Sequence, residues 1–367
     1  MSILPLSQWF NWDADKPLII AGPCSAESHE QVMETVRELA KLGMVNVFRA
    51  GVWKPRSRPG SFQGVGKPAL EWLAEAKKET GLRLAVEVAT AQHVEAALKF
   101  DIDILWVGAR TSANPFSTDQ LATALKGVDI PVLVKNPIHP DLELWLGSIE
   151  RFAKAGVKKL GAIHRGFSPF QNSQYRNLPK WEIPIDLKSL LPELPVICDP
   201  SHIAGDPKLI KEISQKALDL SMDGLMIESH INPKTALSDA FQQVTPSELG
   251  ELINQLTFRK LSPTSTEFID ILETLREKID SLDQQLLELL AQRMDIVKEI
   301  GEYKRDNNVA VIQLRRWEAM IKSRIGFGKT QGLDERYVKD LLRLVHKESI
   351  RKQAEILSLS KKPNSGQ

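Results

Sequence analysis

From residue 17 to about residue 256, short β-branched runs alternate with amphipathic stretches eight times over. The runs at 17–25, 45–51, 82–88, 104–109, 131–136, 158–165, 194–199 and 224–229 read as strands. They are nearly continuous in apolar residues, as strands buried on both faces must be. Helical stretches lie between them near 28–42, 68–80, 91–99, 117–126, 141–155, 206–220 and 245–256, with a short one near 186–191. Strands of this kind separated by helices call for a parallel sheet covered on its outer face. Eight units in about 240 residues match an α/β fold of the (β/α)8 TIM-barrel type. A doubly wound open sheet is the main rival, but no Gly-x-Gly-x-x-Gly follows the first strand.

After Leu256 the pattern changes. Residues 257–266 carry Ser, Thr and Pro without an apolar period and read as a linker, and Thr264 with Glu267 has capping-box spacing. Leu272, Leu275, Ile279, Leu282, Leu286, Leu289, Arg293, Ile296, Ile300 and Tyr303 then fall at alternating steps of three and four, the heptad seam of one long helix. Helical stretches follow near 313–326 and 334–358, and the last residues look frayed. The expected organisation is a barrel over 1–256, a linker over 257–266, a small all-α helical domain over 267–358 and a tail over 359–367. The long helix expects a partner.

Composition narrows the function. Lys and Arg number 48 against 47 Asp and Glu, a net charge of +1, so a nucleic-acid grip starts from a poor position. No window approaches the ~18 apolar residues of a membrane span. The N-terminus lacks a signal-peptide pattern, and two cysteines cannot make a disulfide framework. A cytoplasmic protein is expected, with no membrane or nucleic-acid partner.

In such a barrel the active site sits at the C-terminal ends of the strands. Chemically loaded residues stand at nearly every one: Cys24, Arg49, Glu87, Arg110, Lys135, Arg165, His202 just past Asp199, and Glu228. Convergence of Arg49, Arg110, Lys135 and Arg165 needs anionic company, because isolated buried charges are costly. A multiply charged phosphate or carboxylate supplies it; separate surface ion pairs are the bland alternative. Cys24, His202, Glu228 and Asp239 form a mixed sulfur, nitrogen and oxygen set suited to a divalent transition metal. Taken singly, Cys24 and His202 read as a core cysteine and a loop histidine. The loop Lys54-Pro55-Arg56-Ser57-Arg58-Pro59-Gly60 offers phosphate ligands or is a solvated basic loop.

Taken in order, GPCS at 22–25, FRAGVWKPRS at 48–57, GSFQG at 60–64, GAR at 108–110, LVK at 133–135, HRG at 164–166, DPSH at 199–202 and IESH at 228–230 resemble 3-deoxy-D-arabino-heptulosonate 7-phosphate (DAHP) synthases of class I, β subgroup. The resemblance implies condensation of phosphoenolpyruvate with erythrose 4-phosphate, opening the shikimate pathway. It implies metal ligands at Cys24, His202, Glu228 and Asp239, with Mn2+ ahead of Fe2+, Co2+ or Zn2+. Phosphoenolpyruvate would meet Arg49, Lys54, Glu87, Arg110, Lys135 and Arg165. Erythrose 4-phosphate would meet Lys54, Pro55, Arg56, Ser57 and Asp199. Asn136-Pro137 departs from the Arg-Gly common in relatives, and Ile163-His164 from Cys-Glu. The related 3-deoxy-D-manno-octulosonate 8-phosphate synthases share the barrel but typically carry Lys-Ala-Asn-Arg-Ser-Ser in place of Lys-Pro-Arg-Ser. The shorter loop favours the four-carbon sugar.

The seam carries its own anomaly. Arg293 takes a position where an apolar residue belongs, and Lys304, eleven residues on, returns to within about 20° of the same face, roughly 16 Å away. The two could hold one dianion, or Arg293 could pair with a partner-helix carboxylate as a register device. Arg276, seventeen residues earlier and roughly 25 Å away, can join them only from a second chain. Leu272–Lys304 resembles the first helix of an all-α chorismate mutase. The resemblance implies substrate contacts from Arg276 of a partner chain, Arg293, Lys304, Gln313, Arg316, Ser349 and Gln353. Trp317 stands where many members carry Glu, and Gln313 where some carry Asp. The expectation is a homodimer through the helical domain that turns chorismate into prephenate and passes feedback inhibition by prephenate to the barrel. No N-terminal regulatory domain is expected, since the barrel begins almost at residue 17. The rival is an octulosonate-type barrel with a tail that only dimerises or senses ligand.

Overall fold

The computed structural model describes residues 2–10, 16–54, 60–169, 172–259 and 266–358. The chain divides into two compact units, Met1–Leu261 and Ser262–Gln367. Thr264, most of the stretch read as linker, and the 359–367 tail lie outside the described residues.

In the first unit, strands β1 (Leu18–Gly22), β2 (Val47–Arg49), β3 (Arg83–Val88), β4 (Ile104–Val107), β5 (Val132–Lys135), β6 (Leu160–His164), β7 (Val196–Cys198) and β8 (Gly224–Glu228) pair in chain order. All pairs are parallel, and β8 closes on β1 with Leu18 opposite Gly224 and Gly22 opposite Glu228. Gly224 permits this closure: a Cβ there would stand 2.4 Å from the Leu18 carbonyl oxygen. Around the barrel run α1 (His29–Lys41), α2 (Lys67–Thr80), α3 (Ala91–Lys99), α4 (Ala109–Ser112), α5 (Pro115–Ala124), α6 (Leu142–Lys154), α7 (Glu182–Leu190), α8 (Pro200–Ala204), α9 (Pro207–Asp219) and α10 (Pro246–Asn254).

Short polar residues start these helices. Ser28, Thr90, Asn114, Asp141 and Asp206 each accept a hydrogen bond from a backbone N–H in the first turn, and Thr245 with Glu248 forms a reciprocal capping box. Ile19, Phe48, Val86, Leu105, Val134, Ala162, Val196 and Leu225 face the helices, packing against residues such as Val36, Leu73, Trp145 and Ile213. The interior holds Leu18, Ile20, Val47, Ala85, Ile104, Trp106, Leu133, Ile163, Ile197 and Met226. Trp9 packs with this inner cluster; its ring would meet a Cβ on Gly161 at 2.9 Å, and its indole donates to the Leu4 carbonyl.

All eight expected strands are present, but most stop short of the apolar runs that signalled them. Val45 before β2 and Val52 after it are buried yet lie outside the strand. Two short helices, α4 and α8, follow β4 and β7 where the sequence pattern shows no helix. They place Arg110 and His202 in helical turns beyond the strands rather than at strand ends. The cue for α8 was local: Asp199 caps it, accepting from the His202 N–H, and Pro200 fills the first turn.

The second unit holds α11 (Thr266–Asp306), α12 (Leu314–Thr330) and α13 (Glu335–Ser358), with α13 packed on both others. Gly301 on α11 lets Gln353 and Ile356 approach, and Gly328 on α12 makes room for Val338. Among the described residues of this unit, Val297 and Val338 are the only large apolar side chains that are buried. Leu275, Ile279, Leu282, Leu286, Leu289, Ile296, Ile300 and Tyr303 of the seam are 42–73% exposed. No described helix is long and apolar enough to cross a membrane.

One buried group ties the barrel's stability to pH. His164 on β6 follows inward-facing Ile163, so its ring points outward, where it packs against Phe167 and Trp181. Burial pushes its pKa down to about 3, outweighing a backbone hydrogen bond to Pro179. The unfolded chain takes a proton here below about 6.5, while the folded chain does not until about pH 3, so acid favours unfolding across that window. His164→Leu removes this contribution. Relative to the parent, its unfolding free energy should gain about 1.4 kcal/mol per pH unit on descending below pH 6.5. Urea midpoints along that range check it, and parallel profiles would contradict it.

Candidate active site

Alternate side chains of a barrel strand point inward. Two residues beyond the inward apolar residues Val47, Ala85, Leu133, Ile163, Ile197 and Met226 come Arg49, Glu87, Lys135, Arg165, Asp199 and Glu228. One period of the strand thus separates the apolar plug from a charged layer. Beyond Trp106 the same step reaches Gly108, where a Cβ would stand 2.1 Å from Glu87 Oε1. A side chain there would push the Glu87 carboxylate aside.

The charges of this layer largely satisfy one another. Lys135 Nζ donates to Asp199 Oδ2 at 2.7 Å, and His202 Nδ1 lies 3.0 Å from Asp199 Oδ1. Burial alone would raise the Asp199 carboxyl, but His202 and Lys135 outweigh it and hold the group well below its usual range. Arg49 Nη1 stands 3.3 Å from Glu228 Oε1, and Nη2 donates to the Cys24 carbonyl at 3.3 Å. Trp106 is the shared floor, 4.8 Å from the Arg49 guanidinium and 5.9 Å from the Lys135 ammonium, while its indole donates to Glu87 Oε2 at 3.3 Å. Burial lowers the Arg165 pKa to about 10, and its Nη1 donates to Asn177 Oδ1 at 2.8 Å.

These groups enclose a polar cavity of about 120 Å³ lined by Lys54, Glu87, Gly108, Ala109, Arg110, Lys135, Arg165, Arg176, His202 and Asp239. A larger groove of about 600 Å³ lies between Trp181 and α9 but holds none of the candidate residues.

Cys24, Glu228 and Asp239 bring ligand atoms within 4.8 Å of one another. His202 Nε2 is 3.9 Å from both Glu228 Oε1 and Asp239 Oδ2. The Cys24 thiol donates to Asp239 at 3.4 Å and lies 3.0 Å from Lys54 Nζ; burial, with Glu228 adding to it, pushes its pKa up to about 12. Glu228 Oε1 is buried without a hydrogen-bond partner. A soft sulfur, an imidazole, two carboxylates and one unmatched buried oxygen fit a divalent transition-metal cation.

Five further residues hold this arrangement, and the sequence reading singles out only Asn136 among them. Arg176 Nη1 stands 3.2 Å from Asp239 Oδ1 and also bonds Gln242, whose Nε2 donates to Glu228 Oε2 at 2.6 Å. Gln243 accepts from the Cys24 N–H at 2.9 Å. Asn136, one of the departures from the relatives' pattern, is buried: its Oδ1 accepts from the Arg165 N–H at 2.7 Å and its Nδ2 donates to the Gly166 carbonyl. Asn177 receives the Arg165 guanidinium and donates to the His202 carbonyl. Gln242 and Gln243 follow Asp239 at turn spacing, a usable cue; nothing local marked Arg176 or Asn177. Pro55, Arg56 and Ser57 lie outside the described residues. The ends of their loop are tied where the Lys54 N–H donates to the Gln63 carbonyl.

In the helical unit Arg293 Nη1 donates to Ser349 Oγ at 2.7 Å, and Lys304 Nζ to Gln353 Oε1 at 3.0 Å and the Val311 carbonyl at 2.7 Å. Burial lowers both cations' pKa values, and Arg316 adds to the effect on Lys304. Gln313, which precedes α12, and Arg316 on that helix are exposed. Arg276 does not join the group: it pairs with Glu273 on its own helix.

A closed parallel barrel with a cation-lined cavity at the C-terminal ends of its strands defines a (β/α)8 enzyme for anionic substrates. Residues 7–260 match the DAHP synthetase I family and residues 275–354 match chorismate mutase type II. A phospho-2-dehydro-3-deoxyheptonate aldolase of Thermotoga maritima is 34% identical over 238 residues, which cover 65% of this chain and 68% of that one. A crystal structure of DAHP synthase from that organism superimposes with a TM-score of 0.58 at 33% identity, covering 65% of this chain and 67% of that one. A 2-dehydro-3-deoxyphosphooctonate aldolase of Wolinella succinogenes is 28% identical over 269 residues, 65% of this chain and 97% of its own. The chain belongs to the DAHP synthetase I family and carries a chorismate mutase type II unit C-terminal to it in the sequence.

Proposed function

We propose that the barrel joins phosphoenolpyruvate to erythrose 4-phosphate, forming DAHP and phosphate, and that the helical unit rearranges chorismate to prephenate. The observation that carries the first half is the 120 Å³ cavity, lined with cations and bordered by the Cys24, His202, Glu228 and Asp239 cluster.

Arg49, Lys54, Arg110, Lys135 and Arg165 balance the phosphate and carboxylate of phosphoenolpyruvate, with Glu87 orienting the layer through Trp106. Lys54, Pro55, Arg56 and Ser57 take the phosphate of erythrose 4-phosphate, and Asp199 meets its hydroxyls. Cys24, His202, Glu228 and Asp239 would hold a divalent ion, Mn2+ ahead of Fe2+, Co2+ or Zn2+, which would supply Lewis acidity to the aldehyde. C3 of phosphoenolpyruvate bonds to the aldehyde carbon while water adds at C2, and the resulting phosphohemiketal breaks its C2–O bond to release phosphate. The cations hold both anionic ends in register throughout. The octulosonate reading, supported by the Wolinella relative, requires a five-carbon sugar phosphate; the Lys54–Ser57 loop favours the four-carbon one.

In the helical unit Arg293 and Lys304 hold chorismate compressed with Arg316, Gln313 and Ser349, and Lys304 with Gln353 stabilises charge on the ether oxygen. A second copy covers the exposed seam and brings its own Arg276 to the site, so the active form is a homodimer. Prephenate bound there inhibits the barrel. Two free cysteines suit a reducing cytoplasm.

Phosphate release from phosphoenolpyruvate should run about 10- to 200-fold faster with erythrose 4-phosphate than with arabinose 5-phosphate. EDTA should abolish it and Mn2+ restore it; the reverse sugar preference would favour the octulosonate reading. Arg276→Ala and Arg293→Ala should each lack mutase activity, while refolding the two together should restore about a quarter of the sites. No recovery on mixing would place both arginines in one chain's site. Cutting the chain within 257–266 should leave phosphate release intact and insensitive to prephenate; inhibition surviving the cut would exclude coupling between the units.

A further inference from the structure

His346 stands on α13 three residues before Ser349 and seven before Gln353, so the three share one helix face. Ser349 and Gln353 are the groups that receive Arg293 and Lys304. The His346 ring lies flat on the Trp317 ring from α12, with centroids 3.7 Å apart and planes 14° from parallel. Stacking fixes an imidazole by its face and leaves the edge, with both nitrogens, available for hydrogen bonds.

The charges acting on this ring are the Arg293 and Lys304 cations of α11. On α12, Arg316 acts in turn on Lys304. On α13 itself Asp340 pairs with Arg343, and Glu348 with Arg351. Among the described residues the charges acting on His346 are therefore all cationic, and together with burial they hold its pKa below the usual value.

We infer that His346 is a further ligand-contacting residue of the helical site, an imidazole braced by Trp317 that hydrogen-bonds a dicarboxylate held by Arg293 and Lys304 and takes one proton from solvent as that ligand binds. The inference rests on reading the helical unit as a chorismate and prephenate site. Two carboxylates entering beside the ring replace a repulsive field by an attractive one, and a protonated imidazole makes a charge-assisted bond to a carboxylate. Proton and ligand then promote each other's binding by the same factor. Between the pKa values of the free and liganded states, affinity falls as pH rises, by up to about tenfold per pH unit.

Titration calorimetry of the full chain with prephenate, near pH 6.5, in PIPES and in Tris tests this. The heats should differ by the buffers' ionisation enthalpies in the sense of proton uptake. His346→Asn should bind more weakly, roughly tenfold, with no uptake and a flat pH profile. Trp317→Phe keeps the stack and should keep the uptake. Wild-type binding without uptake, a result that needs no variant, would overturn the inference; so would uptake undiminished in His346→Asn. No binding of prephenate at all is a different outcome, and would overturn the helical-site reading together with it.

Discussion

The mutual neutralisation of buried charges one strand period above an apolar plug is the interaction on which the barrel's arrangement depends. Each ion moved from water to the interior costs several kcal/mol unless its field is matched. Lys135 and Asp199 match at 2.7 Å, Arg49 and Glu228 at 3.3 Å, and the Trp106 face is shared by the two cations. The matching is incomplete where chemistry would act. Arg49 Nη1 and Glu228 Oε1, the closest atoms of their pair, have no hydrogen bond of good geometry. Around the cavity, Arg49, Lys54, Arg110, Lys135, Arg165 and Arg176 outnumber Glu87, Asp199, Glu228 and Asp239. That excess is the complement of a multiply anionic substrate, and a barrel built only for stability would have no reason to carry it.

Much of this was legible before any coordinates, because it follows from period. Apolar runs at barrel spacing fix the strand order, and the side chain two residues past the last inward apolar residue is forced to the rim. That reasoning finds Arg49, Glu87, Lys135, Arg165 and Glu228. It does not find residues whose importance comes from closing the ring. Gln243 meets Cys24 across 219 positions of sequence, and Asn177 meets Arg165 through a loop with no periodic signal. The short helices α4 and α8 were hidden for a related reason: four or five residues are too few to show a period, so only the Asp-Pro cap could announce the second.

Arg293 shows how a seam anomaly becomes structure. Its neighbours along the heptad, Leu289 and Ile296, stay 62% and 57% exposed, whereas Arg293 is half-buried and bonded to Ser349. Seam and pocket therefore share this residue, and a helix laid along the seam would lie beside the pocket. With Val297 and Val338 the only large apolar side chains buried among its described residues, the three-helix unit shows little core of its own. Covering the seam would supply burial at about 25 cal/mol per Å² of apolar surface removed from water.

The two sites differ in how far their cations are matched, and that difference bears on how each should respond to its ligand. In the barrel Cys24, Glu87 and Glu228 outweigh burial and keep the Lys54 pKa raised, although burial lowers that of Arg165. In the helical unit Arg293, Lys304 and His346 all have lowered pKa values. Among the described residues Arg293 and Lys304 hydrogen-bond neutral oxygens there. A dianion entering that pocket contributes negative charge itself, so its binding must shift every titratable neighbour in the same direction. Arginine and lysine remain protonated throughout the physiological range whichever way they move. An imidazole does not, and a histidine placed beside two such cations is the one group through which ligand occupancy can alter a charge state near neutral pH.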